Sequence, residues 1–143
     1  MADTTATRPA RIQAGSVHAD PDHVERILTN YVTNALKDGE CPVEVEAREN
    51  DGWVEIRVRD HGSGVPEDFI PRMWEKFARS NDSSDREKGT GLGLSIVAGL
   101  ARANGGTAWY EPNHPRGSCF CIRLPRGLRL ELDPARYDFL ISL

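Results

Sequence analysis

Residues 43–58 hold the pattern that most limits what this chain folds into. Val43, Val45 and Ala47 alternate with Glu44, Glu46 and Arg48; beyond Asn50-Asp51-Gly52, Val54, Ile56 and Val58 alternate with Glu55, Arg57 and Arg59. A period of two sends successive side chains to opposite faces, so each run has one apolar and one charged face. Asn50-Asp51-Gly52 supplies the turn between them. The pattern predicts an antiparallel β-hairpin with one face to bury.

Two helical segments are available to cover it. Asp20 suits an N-cap, Pro21 the first helical position, and Asp22 the positive end of the helix dipole. Val24, Ile27, Leu28, Tyr31, Val32, Ala35 and Leu36 then recur at helical spacing, and the helix should end at 37–39. The second helix follows a glycine-rich stretch, 89–93, and runs to about Asn104, where Gly105-Gly106 terminates it. Between the two, residues 66–77 read as a short broken helix with Pro71 as the break, and 78–88 as a polar loop. Strands are expected at 107–110 and 118–124, and Ile12 and Val17 mark a short edge strand. Residues 1–9 read as a disordered lead. Strands in adjacent antiparallel pairs favour an α+β fold, with helices on one face of a mixed sheet, over a doubly wound parallel fold.

Composition narrows the function classes. The 143 residues are 38% hydrophobic and 28% charged with a net charge of −4, a balance that suggests neither a nucleic-acid nor a membrane-surface partner. No stretch has the apolar length of a membrane span or the layout of a signal peptide, so a cytoplasmic location without membrane insertion is expected. Cys41, Cys119 and Cys121 contain no C-x-x-C and read as reduced thiols. Cys119 and Cys121 should share a strand face as small apolar side chains.

Three groups of residues carry chemistry. Asn30, Asn34 and Lys37 share a face of the first helix, offset from its apolar stripe. A carboxamide oxygen is a ligand for Mg²⁺, and lysine is a point charge for phosphate. Asp60-His61-Gly62-Ser63-Gly64 follows a strand directly; a carboxylate there accepts a hydrogen bond from an exocyclic amine, and the glycines let backbone approach a flat ring. Gly89-Thr90-Gly91-Leu92-Gly93-Leu94-Ser95 opens a helix, where backbone N–H groups face an anion. It matches neither the P-loop nor the dinucleotide-binding fingerprint.

Together and in this order, the groups resemble the ATP-binding domain of histidine kinases, in the superfamily shared with gyrase, Hsp90 and MutL. Asn30 to Lys37 looks like the N box, Asp60 to Gly64 like the first glycine box, Trp74 to Arg79 like the F box and Gly89 to Leu94 like the second glycine box. The resemblance covers about 17–125. It implies a two-layer α/β sandwich of the Bergerat type: a mixed, mostly antiparallel sheet covered on one face by about three helices. It implies ATP and Mg²⁺ as cofactors, with Asn34 on the metal and Asn30, Asn34 and Lys37 as the catalytic set. Asp60 would read adenine, with Gly62 and Gly64 at the base. Phe77 would anchor the base of a lid over 78–88, Arg79 within that lid would join the nucleotide-binding set with Gly89, Thr90, Leu92 and Leu94, and Gly91 and Gly93 would place backbone near the phosphates. Asp38 departs from the pattern, standing where the N box has an aromatic residue.

Hydrolysing relatives carry Glu one turn before the metal asparagine. Here that position is Asn30, a poor base, which favours transfer to a neutral imidazole over hydrolysis. None of His18, His23, His61 and His114 has the context of an acceptor histidine. The acceptor is therefore expected on a dimerisation domain in cis within a longer protein or in trans, with a response regulator downstream. A nucleotide-binding interaction module without transfer activity, and a stand-alone ATPase, are the alternatives. The expected organisation is a lead at 1–9, the ATP-binding domain at 10–125 and an extension at 126–143. In that extension Leu128, Leu130 and Leu132 alternate like a half-buried strand, and Asp133-Pro134 opens a helix.

Overall fold

The computed structural model describes residues 11–12, 16–38, 42–76, 93–127 and 129–132. Strands β1 (Arg11–Ile12), β3 (Glu44–Asn50), β4 (Trp53–Arg59), β5 (Thr107–Pro112) and β6 (Ser118–Pro125) form one sheet in the order β1-β3-β4-β6-β5. Only β1 runs parallel to its neighbour. Helices α1 (Pro21–Asp38) and α2 (Gly93–Ala103) pack together on one face. Strands β2 (Ser16–Val17) and β7 (Leu130–Glu131) form a separate antiparallel pair.

The alternation in 43–58 becomes β3 and β4, joined by a two-residue turn with φ of 53° at Asp51 and 83° at Gly52. Both are left-handed, a conformation glycine adopts without cost and aspartate tolerates, and its twist matches that of paired strands. Val45, Ala47, Val54, Ile56 and Val58 are buried, and β6 adds Phe120, Ile122 and Leu124 to the same face. Against them lie Val24, Ile27, Leu28, Tyr31, Val32 and Ala35 of α1 and Val97 and Ala101 of α2, in a single core. Burying each large apolar side chain stabilises the fold by about 1.5–3 kcal/mol. Asp20 caps α1: its Oδ1 accepts the N–H of Asp22 at 2.8 Å and, more weakly, that of His23 at 3.4 Å. At the end of α2, Gly106 N–H returns to the Ala101 carbonyl at 2.8 Å with Gly105 at φ 77°.

The segment expected as a broken helix is smaller. Among the described residues it gives one 3-10 turn, Ile70–Arg72, so two α-helices and this turn stand where about three helices were expected. Pro71 does not break it. The first N–H groups of a helical turn have no internal partner, so a proline lacking its N–H is accommodated there.

The other sheet face is laced with ion pairs: Arg59 to Glu46 at 2.7 Å, and Arg57 to Glu111 at 2.8 Å and to Glu55 at 3.2 Å. Arg123 stacks 4.0 Å above the Trp53 ring. Cys119 and Cys121 do share a strand face, but it is this charged one, where both are buried with their sulfurs 3.5 Å apart. The Cys121 thiol and the Arg59 and Arg57 guanidinium groups draw the Cys119 thiol down to about 7 against the effect of burial.

Beyond β6 the chain returns to β2. Gly127 N–H donates to the Ser16 carbonyl at 3.3 Å and His18 N–H to the Pro125 carbonyl at 2.8 Å. Leu130 and Leu132 are buried in the core. Leu128, the helix start at Asp133, the lead at 1–9, Cys41 and the loop at 78–88 lie outside the described residues.

Candidate functional site

The amide face of α1 lies in its C-terminal half. Asn30 and Asn34 are half-buried and Lys37 is exposed in the last turn. The Nδ2 of Asn30 is shut off from solvent and has no hydrogen-bond acceptor among the described residues. A buried unpaired N–H costs about 1–3 kcal/mol, and native structures rarely carry one without a functional cause.

Asp60 sits where β4 ends and is 2% exposed. Its Oδ1 accepts two backbone N–H groups, from Gly62 at 2.9 Å and from Ser118 at 3.2 Å. Two fixed donors on one oxygen set the plane of the carboxylate. Gly62 is buried, and Gly64 adopts φ 84°, which a side chain would strain.

Helix α2 starts at Gly93, which is exposed, and Leu94 packs against the core. Phe77, Arg79, Gly89, Thr90, Gly91 and Leu92 lie outside the described residues. At its other end α2 is tied to α1. Asn104 Oδ1 accepts Asp20 N–H at 2.9 Å, while its Nδ2 lies 2.9 Å from His23 Nδ1 and donates to the Leu100 carbonyl at 2.7 Å. His23 is thus part of the scaffold, and His61 faces Glu44 at 3.2 Å. Sequence reasoning missed Asn104, for which the only signal was a polar residue closing a helix. It also missed Asn113 and Arg116: Asn113 Nδ2 donates to the Asp60 carbonyl at 2.8 Å and Arg116 Nε to that of Gly62 at 2.8 Å.

A mixed, mostly antiparallel sheet with both long helices on one face is the layering of the sandwich ATPases. Residues 19–128 match the model of the histidine kinase-, DNA gyrase B- and HSP90-like ATPases, and the chain belongs to that family. It is 45% identical over 123 residues to the sensor histidine kinase component HK1 of Mycobacterium tuberculosis, covering 86% of this chain and 68% of that protein. It is 42% identical over 112 residues to the signal transduction histidine-protein kinase AfsQ2 of Streptomyces coelicolor, covering 77% of this chain but 21% of that protein. Full-length ShkA, solved in complex with AMPPNP, superposes with a TM-score of 0.67 at 30% identity, over 87% of this chain and 27% of that one. The chain is thus the catalytic ATPase domain of the histidine kinase class and spans only part of those relatives.

Proposed function

We propose that this chain binds Mg-ATP and donates the γ-phosphoryl group to a histidine on a separate dimerisation and phosphoacceptor domain, with a response regulator downstream. The observation that carries this reading is Asn30. Its unpaired, buried Nδ2 lies one turn before Asn34 on the same helix face, and it fits a phosphate oxygen that completes it. The same side chain is no base, so it supports transfer to an imidazole, itself a nucleophile, over activation of water.

The donor set fits the cofactor. Asn34 offers a hard carboxamide oxygen of the kind Mg²⁺ accepts alongside phosphate oxygens and water. When bound, Mg²⁺ neutralises charge on the phosphates. Lys37 adds a positive charge at the same end of the helix. Asp60 accepts the exocyclic amine of adenine, with Gly62 and Gly64 admitting the ring. Gly93 and Leu94 open the helix facing the phosphates, preceded by Gly89, Thr90, Gly91 and Leu92, while Phe77 anchors the base of the lid and Arg79 lies within it. Residues 10–125 make up this domain, and 126–143 extend it. A cytoplasmic setting follows from the use of ATP.

The acceptor lies in cis within a longer protein or in trans. The name of HK1, a kinase component, supports the second arrangement. The test is transfer from labelled ATP to candidate dimerisation domains supplied in trans. Acid-labile label on the acceptor, lost in Asn34→Ala, is expected. Turnover without any acceptor would instead identify an ATPase, and binding without transfer or turnover a nucleotide-sensing module.

A further inference from the structure

The turn joining β5 to β6 runs through Asn113, His114, Pro115, Arg116 and Gly117, and it is built against the loop that carries Asp60. Asn113 Nδ2 donates to the Asp60 carbonyl and Arg116 Nε to the Gly62 carbonyl, each at 2.8 Å. Asp60 N–H donates to the Ser118 carbonyl at 2.9 Å, and Asn113 N–H closes the turn on the Gly117 carbonyl at 3.0 Å. Gly117 has φ 112°, and a Cβ there would fall 2.0 Å from the Asp60 carbonyl oxygen, so the approach requires glycine. Further along, the Tyr110 hydroxyl accepts Val65 N–H at 3.3 Å. The turn therefore holds Asp60 and Gly62, and Tyr110 of β5 holds Val65.

We propose that Asn113 and Arg116 are positioning residues that set purine selectivity by holding Asp60 and Gly62 in place. The proposal rests on the reading of Asp60 as the adenine acceptor. An ionised carboxylate only accepts hydrogen bonds. Adenine presents an amine at its 6-position and guanine a carbonyl oxygen. A carboxylate held in one orientation therefore attracts the first and repels the second, whereas a carboxylate that swings away loses both effects. Gly62 is the link: its N–H is one of the two donors on Asp60 Oδ1, and its carbonyl is what Arg116 holds. Releasing that carbonyl lets the donor drift and so loosens the carboxylate.

The test uses the full chain with nonhydrolysable ATP and GTP analogues, Mg²⁺ and calorimetry, on the wild type, Arg116→Ala, Arg116→Lys, Asn113→Ala and Asp60→Ala. Asn113→Ala should weaken the ATP analogue about fivefold, the worth of one neutral hydrogen bond, and Arg116→Ala, which removes a charged donor, by about tenfold or more. Binding of the GTP analogue should change less than about twofold, so selectivity falls. Arg116→Lys, whose ammonium donates to the same carbonyl, should recover most of the loss. The melting temperature of Arg116→Ala should stay within about 2 °C of wild type, as for an exposed substitution. If both analogues weaken equally, or Arg116→Ala and Asn113→Ala keep wild-type selectivity while Asp60→Ala loses it, the positioning role is overturned and the adenine reading stands. If Asp60→Ala itself keeps full selectivity, the adenine reading fails and takes the proposal with it.

Discussion

Asn30→Ala should make the unliganded protein more stable and the liganded protein less so. In the unliganded chain the shielded Nδ2 has no acceptor among the described residues. Removing it relieves about 1–3 kcal/mol of unpaired burial. Alanine adds about 0.5 kcal/mol of helix propensity over asparagine at this mid-helix position. Lost side-chain contacts offset about half of these gains, for a net of about 1 kcal/mol and a melting temperature about 3 °C higher. With a nonhydrolysable ATP analogue and Mg²⁺ at about one hundred times Kd, the wild type should gain about 2.7 kcal/mol. A hydrogen bond to a charged phosphate is worth about 1.5–3 kcal/mol, so at the same concentration the variant should gain about 1 kcal/mol or less. Thermal and urea denaturation with and without the analogue should therefore rank the two proteins in opposite orders. Destabilisation of the unliganded variant by more than about 1 kcal/mol, or an unchanged response to the analogue, would refute the reasoning.

Two further outcomes follow from the packing and the charges. Leu130→Ala and Leu132→Ala, at positions buried in the core beyond β6, should each cost about 2–5 kcal/mol in urea denaturation; losses within about 0.5 kcal/mol would mean that β7 does not hold the domain together. The side-chain hydrogen bond from Arg59 holds the Glu46 carboxyl below its usual range, and that from Arg57 does the same for Glu111. Because these folded values are depressed, the stabilisation is present above the unfolded carboxylate value of about 4.3 and is lost as pH falls through the folded values. Melting should fall below about pH 4, less steeply in Glu46→Gln, and an equal slope in that variant would exclude the pair as a source.

What the sequence revealed follows from how local each feature is. The stripe from Val24 to Leu36 and the alternation around Asp51-Gly52 are periodic, and a period marks a buried face before any partner is known. Asn30, Asn34 and Asp60 stand in short motifs whose spacing already suggests chemistry. Asn104, Asn113 and Arg116 have neither period nor motif. Their partners lie 84, 53 and 54 residues away, so nothing near them in the chain marks their role. Pro71 misled because the residue type that interrupts an α-helix also fits the start of a 3-10 turn. The thiols were expected to be small apolar side chains, but their place beneath Arg57 and Arg59 depends on which face of β6 they share with β4.

Asp20 shows how the fold divides its stiffness. It caps α1, its N–H donates to Asn104 at the end of α2, and its Oδ2 lies 3.7 Å from Arg129 of the C-terminal segment. Three elements separated in sequence thus meet at one residue, at the N-terminal end of α1 and the C-terminal end of α2. Asn30, Asn34 and Lys37 lie toward the opposite end of α1, and Gly93 and Leu94 open the opposite end of α2. The hydrogen bonds that fix the two helices relative to each other are therefore remote from the groups proposed to meet the phosphates. At the base-reading end the arrangement is reversed: Asp60 and Gly62 are held directly, by the β5–β6 turn. Reading a purine by a single amine requires a fixed acceptor. Meeting a phosphate chain and releasing it after transfer instead requires polar groups that bear their unpaired cost between ligands, as Asn30 does.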